Sequence, residues 1–367
     1  MQDQILEHLK GLKQNSLLMK FPFLLVFIFF NFLINKNAHC QSDIASTENA
    51  YKIMFYNVEN LFDTVDDTLI NDEEFLPEGV LFWNNHKYYS KLKNIYKVIV
   101  SIGGWNPPAI IGLCEIENQK VLNDLVNNTP LVKFEYQVIH KESPDRRGID
   151  VGMLYRPDLF DPISHKAIPI NYPDQPDNKT RDILYVKGLA KNTDTLHVFI
   201  NHWPSRWGGQ LESEDRRIFV ASVLKYNVDS ILNNSQSAKI VIMGDFNDYP
   251  ENTSLSDALN AKNNFDEINN ENLYNLSSNF KKQNIGSNKY EGEWGVLDQI
   301  IVSGSLLNSE EKIFTSINDV HILNSDFLLE PDEAYFGFKP KRTFSGYSYI
   351  GGFSDHLPTY LIINFKP

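Results

Sequence analysis

Short apolar runs recur from residue 52 to the end of the chain, each closed by polar or glycine-bearing residues. They predict strands over 52–56, 109–114, 134–139, 151–155, 184–189, 196–200, 239–244, 297–302 and 359–365. Between some of them the apolar spacing lengthens to that of a helix. Residues 86–102 set Tyr89, Leu92, Ile95, Tyr96 and Ile99 on one stripe, and Gly103-Gly104 stops it. Residues 215–232 do the same with Ile218, Ala221, Leu224, Val228 and Ile231. The asparagine-rich stretches 260–279 and 284–288 predict surface loops. The order of elements is mixed, not a regular strand–helix alternation, so a layered α+β sandwich is expected over a doubly wound sheet. No low-complexity linker or 20–50-residue repeat divides the chain beyond Gln41, which predicts one domain over 41–367.

The first forty residues follow another pattern. The dense apolar run 21–34 follows Lys20 and precedes Asn35, Lys36 and Asn37. It is short for a membrane span and suits the apolar region of a secretory signal peptide. Ala38-His39-Cys40 resembles a cleavage site, so residues 1–40 are expected to be removed and the mature chain to begin near Gln41. Met19-Lys20 reads as the usual opening of such a peptide, which makes Met19 an alternative start. An uncleaved anchor and a lipidated Cys40 are the rival readings; Asn37-Ala38-His39 is a poor lipidation signal. Export to the periplasm or the exterior follows as an expectation.

Composition narrows the class. The 367 residues are 42% hydrophobic and 22% charged, an ordinary globular balance. The net charge of −13 argues against a protein that coats DNA without regard to sequence, because such proteins are basic. It leaves room for an enzyme that meets a phosphoester through a few local cations and a metal. Cys40 and Cys114 are the two cysteines, so no disulfide framework is expected in spite of the inferred export. Cys114 reads as a small buried apolar residue.

Polar residues gather where the predicted strands end. The 52–56 strand runs into Asn57-Val58-Glu59, the 109–114 strand into Glu115, and the 196–200 strand into Asn201-His202. Ile240-Val241-Ile242-Met243-Gly244 opens onto Asp245-Phe246-Asn247, where residues two apart share a face if the strand continues. Asp298 stands at the start of the 297–302 strand, and Ser354-Asp355-His356 precedes the last one. Each feature has a plain alternative. Asn57 and the Asp-x-Asn pair suit turns, Glu115 suits a helix cap, and a lone histidine on an apolar strand is usually a core residue. Together they offer hard oxygen ligands, two histidines and scattered arginines.

In this order, Asn57-Val58-Glu59, Leu113-Cys114-Glu115, His202, Gly244-Asp245-Phe246-Asn247, Leu297-Asp298-Gln299-Ile300 and Ser354-Asp355-His356 resemble the endonuclease/exonuclease/phosphatase superfamily. The resemblance spans roughly residues 51–366. It implies a DNase I-like, four-layer αββα sandwich and Mg²⁺-dependent hydrolysis of a phosphoester, with Mn²⁺ or Ca²⁺ as alternative ions. It further implies a metal cluster of Glu115, Asn57, Glu59 and Asp355, with Asp245 activating water and Asn247 orienting phosphate. His356 and His202 would bracket the phosphoryl oxygens, with His356 held by Asp298 and, less securely, His202 by Asp150. Nearby cations would keep Asp245 ionised at neutral pH. Arg181 matches an arginine placed near phosphate in some relatives, with a surface ion pair as its rival role. His140 and His165 receive no role.

The expected substrate is DNA or RNA cut with little sequence preference. A sphingomyelinase-like phospholipase and a sugar- or inositol-phosphate phosphatase are the alternatives on the same scaffold. A non-catalytic binding module is the alternative of another class. No obligate protein partner is indicated. Two loops bear on the choice: Trp203-Pro204-Ser205-Arg206-Trp207, and Lys339-Pro340-Lys341-Arg342 with Phe336, Phe338 and Phe344.

Overall fold

The computed structural model describes residues 50–366; the signal-peptide and cleavage readings lie outside them. The chain runs β1 (Ala50–Leu61), α1 (Asn85–Gly103), β2 (Ile110–Ile116), α2 (Gln119–Asn127), β3 (Gln137–His140), β4 (Asp150–Tyr155), β5 (Phe160–Ile168), β6 (Ile183–Ala190) and β7 (Asp194–His202). Next come α3 (Gln210–Asn234), β8 (Lys239–Asp245), β9 (Ala261–Lys262), β10 (Leu273–Asn275), β11 (Asn288–Tyr290), β12 (Glu293–Gly295) and β13 (Asp298–Ser303). The remainder is β14 (Ile313–Phe314), β15 (Val320–Ile322), β16 (Leu329–Pro331), β17 (Phe338–Pro340), β18 (Phe344–Ser345), β19 (Ser348–Tyr349) and β20 (Thr359–Phe365).

One sheet has the order β14-β20-β1-β2-β4-β3, with β15 also paired to β20; the other is β5-β6-β7-β8-β13-β10-β9. The halves share a plan. β1 and β2 are parallel and joined through α1, and β7 and β8 are parallel and joined through α3. A parallel pair needs such a crossover. An antiparallel strand then flanks each pair, β4 beside β2 and β13 beside β8.

Strand periodicity sorts the core into layers. Ile53 and Phe55 of β1 pack in the cluster that holds Val198, Ile200, Val241, Met243, Ile300 and Val302 of the other sheet. Met54, Tyr56 and Val58 lie on the opposite face and pack with Leu92, Ile95 and Ile99 of α1 and Leu122 and Leu125 of α2. On the second sheet Phe199, Ile240, Ile242 and Ile301 turn outward to Val220, Leu224 and Val228 of α3. This is the expected αββα sandwich. Gly112 marks where the sheets come closest: a Cβ there would lie 2.8 Å from Met243 Cε and 3.2 Å from Ile200 Cγ1.

Some expectations need correction. On α1 the buried stripe runs through Tyr88, Leu92, Ile95 and Ile99, while Tyr89 is exposed, because Tyr88 hydrogen-bonds Asp124 of α2 and takes the inner position. The 134–139 strand shortens to Gln137–His140, with a 3₁₀ turn over Pro130–Phe134. β5 escaped notice because it is largely solvent-facing and Pro162 interrupts its pattern. The stretch 260–279 is not all surface: β10 is buried, and Asn275 satisfies its amide on Gln299 Oε1 at 2.6 Å. Among the described residues no helix is long and apolar enough to cross a membrane.

Candidate active site

The strand alternation that builds the inter-sheet core also aims the polar residues at its end. Continuing the inward positions of β1, β7 and β8 by one step of two leads from Phe55 to Asn57, Ile200 to His202 and Met243 to Asp245. Asp298, two before Ile300, sits opposite Asp245 in the β8–β13 register. Glu115 breaks this rule. Alternation on β2, inward at Cys114, would turn Glu115 toward the helices. Its φ of 59° and a register shift between Cys114 and Ile116 make it a bulge residue, which re-aims the side chain. A non-glycine residue in this region costs roughly 1–3 kcal/mol, a strain the neighbouring contacts must hold.

Those contacts converge on two carboxylates. Asn57 Nδ2 donates to Glu115 Oε1 at 3.3 Å and to Asp245 Oδ2 at 3.1 Å. The Asn60 N–H donates to Glu115 Oε2 at 3.0 Å. Asn57 Oδ1 accepts from the Glu59 N–H at 3.0 Å, so the amide presents donors to the carboxylates. His202 Nε2 lies 3.9 Å from both Glu115 Oε1 and Asp245 Oδ2, and His356 Nε2 lies 3.9 Å from Asp245 Oδ2. These gaps exceed a hydrogen bond and leave an intervening place for a water or phosphoryl oxygen. Asp298 Oδ2 is 2.6 Å from His356 Nδ1, which fixes the ring.

Burial and charge set the protonation states. Glu115 is pushed up, first by burial and then by Asp355, while Arg147 and His356 oppose. Asp245 is raised to about 7 by burial and by Asp298, against His356 and the bonds from Asn247 and Asn57. With protein groups alone, desolvation outweighs the His356 charge at Asp245. Burial alone would lower His356, yet Asp298, Asp245 and Asp355 together hold it well above the usual imidazole range. His202 is held well below it by burial, Arg181 and Arg147, and its buried Nδ1 has no partner. The two histidines are thus biased in opposite directions, His356 toward the charged ring and His202 toward the neutral one.

The residue pattern of the Endonuclease/Exonuclease/phosphatase family matches residues 52–365. The chain belongs to that family. Its members are metal-dependent phosphoester hydrolases, and so is this protein. No curated protein matches it. The fold is similar to an endonuclease/exonuclease/phosphatase family protein from Bacteroides thetaiotaomicron, with 14% identity, TM-score 0.52, and coverage of 87% of this chain and 98% of that one. It is also similar to the human Nocturnin catalytic domain, with 14% identity, TM-score 0.51, and coverage of 86% and 95%. D. rerio TDP2, complexed with a single-strand DNA product, has 12% identity, TM-score 0.51, and coverage of 86% and 99%.

Against this family background the metal cluster needs trimming. Glu59 does not join Glu115: its carboxylate accepts from Arg342 Nε at 2.8 Å and the Thr343 N–H at 2.7 Å, and Lys91 Nζ is 3.9 Å away. Its φ of 53° directs it there. Asp355 faces Arg342 Nη2 at 3.2 Å, at the edge of the site, and is felt by Glu115 through charge. Asp150 serves His140, at 3.0 Å, and Ser143 rather than His202. Arg181 is buried, not a surface ion pair; it bonds Asp145 at 3.0 Å and the Trp203 carbonyl at 2.7 Å. Asn247, at φ 51°, donates its amide to the same carbonyl at 3.0 Å. What remains fits a hard cation. Glu115 and Asp245 offer oxygen, both are raised by burial and then by a neighbouring carboxylate, and a divalent ion would favour their charged forms. Asp245, Asp298 and His356 also place ligand atoms within 4.8 Å of one another.

Other residues that shape the site were missed. Ser354 Oγ donates to the Asn57 carbonyl at 2.7 Å and accepts from the His356 N–H at 3.0 Å, tying two motifs together. Buried Lys91 donates to the Phe353 carbonyl at 2.7 Å, one residue ahead of Ser354. A lysine on the predicted buried face of α1 was the available signal. Arg147, which acts on Glu115 and His202, gave none: a loop arginine looks solvent-bound.

Proposed function

We propose that this protein is an exported, Mg²⁺-dependent phosphodiesterase that cuts DNA or RNA with little sequence preference. The observation that carries the reading is the convergence of Glu115, His202, Asp245 and a His356 held by Asp298 in one buried site, with His356 Nε2 3.9 Å from Asp245 Oδ2. Glu115 would hold the cation, with Asp245 beside it and Asp355 at the rim. When bound, Mg²⁺ supplies charge neutralisation to a phosphoryl oxygen. Asp245 accepts the proton of the attacking water, for which a pKa near the working pH is suitable. His356 donates from Nε2 toward a phosphoryl oxygen, its ring fixed by Asp298. His202 Nε2, on the other side of Asp245, orients the phosphate as a neutral ring. Asn247 and Arg181 hold the Trp203 carbonyl, so they position the loop after His202 and do not meet phosphate in this arrangement.

Nucleic acid is favoured because the D. rerio TDP2 structure holds single-strand DNA product on the same fold. A phospholipid remains the second reading, favoured by exposed Tyr290, Phe336 and Phe338 on the β11 and β16–β17 ribbons, since β11 bridges His356 through Asn288. Hydrolysis of single-stranded DNA, RNA, sphingomyelin and inositol phosphates with Mg²⁺ and with EDTA separates the readings. Turnover of the lipid alone refutes the nuclease assignment. N-terminal sequencing of secreted material should begin near Gln41, and retention of the apolar run would refute cleavage.

A further inference from the structure

A cleft of about 790 Å³ lies beside the cluster, lined by Arg146, Arg147, Lys179 and Trp207 among others. That volume is within the range of small-ligand sites. The cleft is linked to the chemistry at two points. Arg147 lowers the pKa of both Glu115 and His202 through its charge, and Arg181 bridges Asp145 in the cleft wall to the carbonyl next to His202. Arg147 Nη2 is fixed at 2.8 Å from Asn60 Oδ1, the residue whose N–H holds Glu115.

Three side chains in this wall stand out. Among the described residues, Arg146, Arg147 and Lys179 form no salt bridge: Arg146 bonds the Asp177 carbonyl and Arg147 the Asn60 amide. The three positive charges are matched in number by Asp145, Asp174 and Asp177 of the same wall, so the cleft is balanced where the chain as a whole carries −13. Trp207 is 87% exposed, whereas Trp203, four residues earlier, is fully buried against Phe246. An indole left in water beside three cations offers a flat face to a partner. The carboxylates of Asp174 and Asp177 offer acceptors to amino groups.

We propose that this cleft is a nucleotide subsite of the nuclease: Trp207 stacks on a base flanking the scissile phosphate, and Arg146, Arg147 and Lys179 contact neighbouring phosphates. The inference rests on the nuclease reading and adds to it that the enzyme senses chain beyond the bond it cuts. A base and successive phosphates match an aromatic face beside spaced cations, the chemistry of single-strand recognition.

The test compares methyl p-nitrophenyl phosphate with single-stranded oligonucleotides of increasing length, using the full chain and its Trp207→Ala, Trp207→Phe and Arg146→Ala/Lys179→Ala variants. For the wild type, kcat/KM should rise with length over the first few nucleotides. Trp207→Ala should lower it about 5- to 100-fold on oligonucleotides and leave the small ester within about twofold. Trp207→Phe should restore most of the loss. The double variant should flatten the dependence of log kcat/KM on log salt by roughly 1.4 for two phosphates. Equal losses on both substrates, or oligonucleotide cleavage unchanged in Trp207→Ala, overturn the subsite. A wild type that turns over the small ester but no oligonucleotide instead overturns the nuclease reading, and the subsite with it.

Discussion

Replacing Asp298 with Asn tests the protonation logic of the site with little change of shape. Asp298 is fully buried, and its Oδ2 lies 2.6 Å from His356 Nδ1. Asparagine can still accept from that N–H, so the variant removes the charge and keeps the bond. Charge-assisted hydrogen bonds contribute about 1.5–3 kcal/mol against about 0.5–1.5 for neutral ones, so the loss is about 1–1.5 kcal/mol. That is about one pKa unit. Asp298 is the leading cause that raises His356, so its loss lowers the histidine's pKa and moves the alkaline limb of kcat down by about one pH unit. Well above the new limb, kcat should fall about tenfold. Stability gives an independent sign. A histidine raised above its unfolded value stabilises fully below that value and loses this contribution as pH rises through its folded value. The Tm gap between wild type and Asp298→Asn should therefore be wider at pH 6 than on the alkaline side of the His356 titration. The assays are a pH–rate profile and thermal melts across pH. An unmoved limb with unchanged kcat refutes the pairing as the source of His356 protonation.

Three further expectations follow from the same geometry. Glu115→Gln removes an oxygen charge from the proposed cation site, so half-saturating Mg²⁺ should rise at least about tenfold; an unchanged Mg²⁺ titration removes Glu115 as a ligand. Asp245→Ala should lower turnover by about 10²–10⁴, and, because burial raises its carboxyl to about 7, Tm should hold or rise; a large Tm loss would show a structural role instead. Arg217→Leu breaks the fully buried pair between Arg217 Nε and Asp248 Oδ2, 2.7 Å apart, and leaves the buried carboxylate with Arg206 at 3.3 Å and the Ser254 hydroxyl at 2.6 Å. Chemical denaturation should show a loss of about 3–5 kcal/mol, and a loss below 1 kcal/mol would contradict that account.

The sandwich could be read from sequence because strand ends and strand faces are written in period-two patterns. The runs leading to Asn57, His202 and Asp245 carry an uninterrupted inward register, so the residues after them fall where alternation sends them. Glu59 and Glu115 show the limit. Both are glutamates near the carboxyl end of a strand and both have positive φ, yet one turns toward Asp245 and the other toward Arg342 and Lys91. Sequence spacing does not encode a backbone reversal in a residue with no glycine to announce it. The roles of Arg147, Ser354 and Lys91 went unassigned for a related reason: each bonds a partner more than fifty residues away. Asp150 was misassigned because its partner, His140, lies on the neighbouring strand of the same sheet, while His202 belongs to the other.

The close packing of Gly112 on Met243 and Ile200 has a kinetic meaning. Half of the reacting groups ride on one sheet and half on the other, so their spacing is inherited from the thickness of the apolar filling between them. Turnover then works as a strain gauge on the interior. Mild denaturant or an overlarge side chain at Gly112 should silence the enzyme while its secondary structure is still intact, with inactivation running ahead of unfolding.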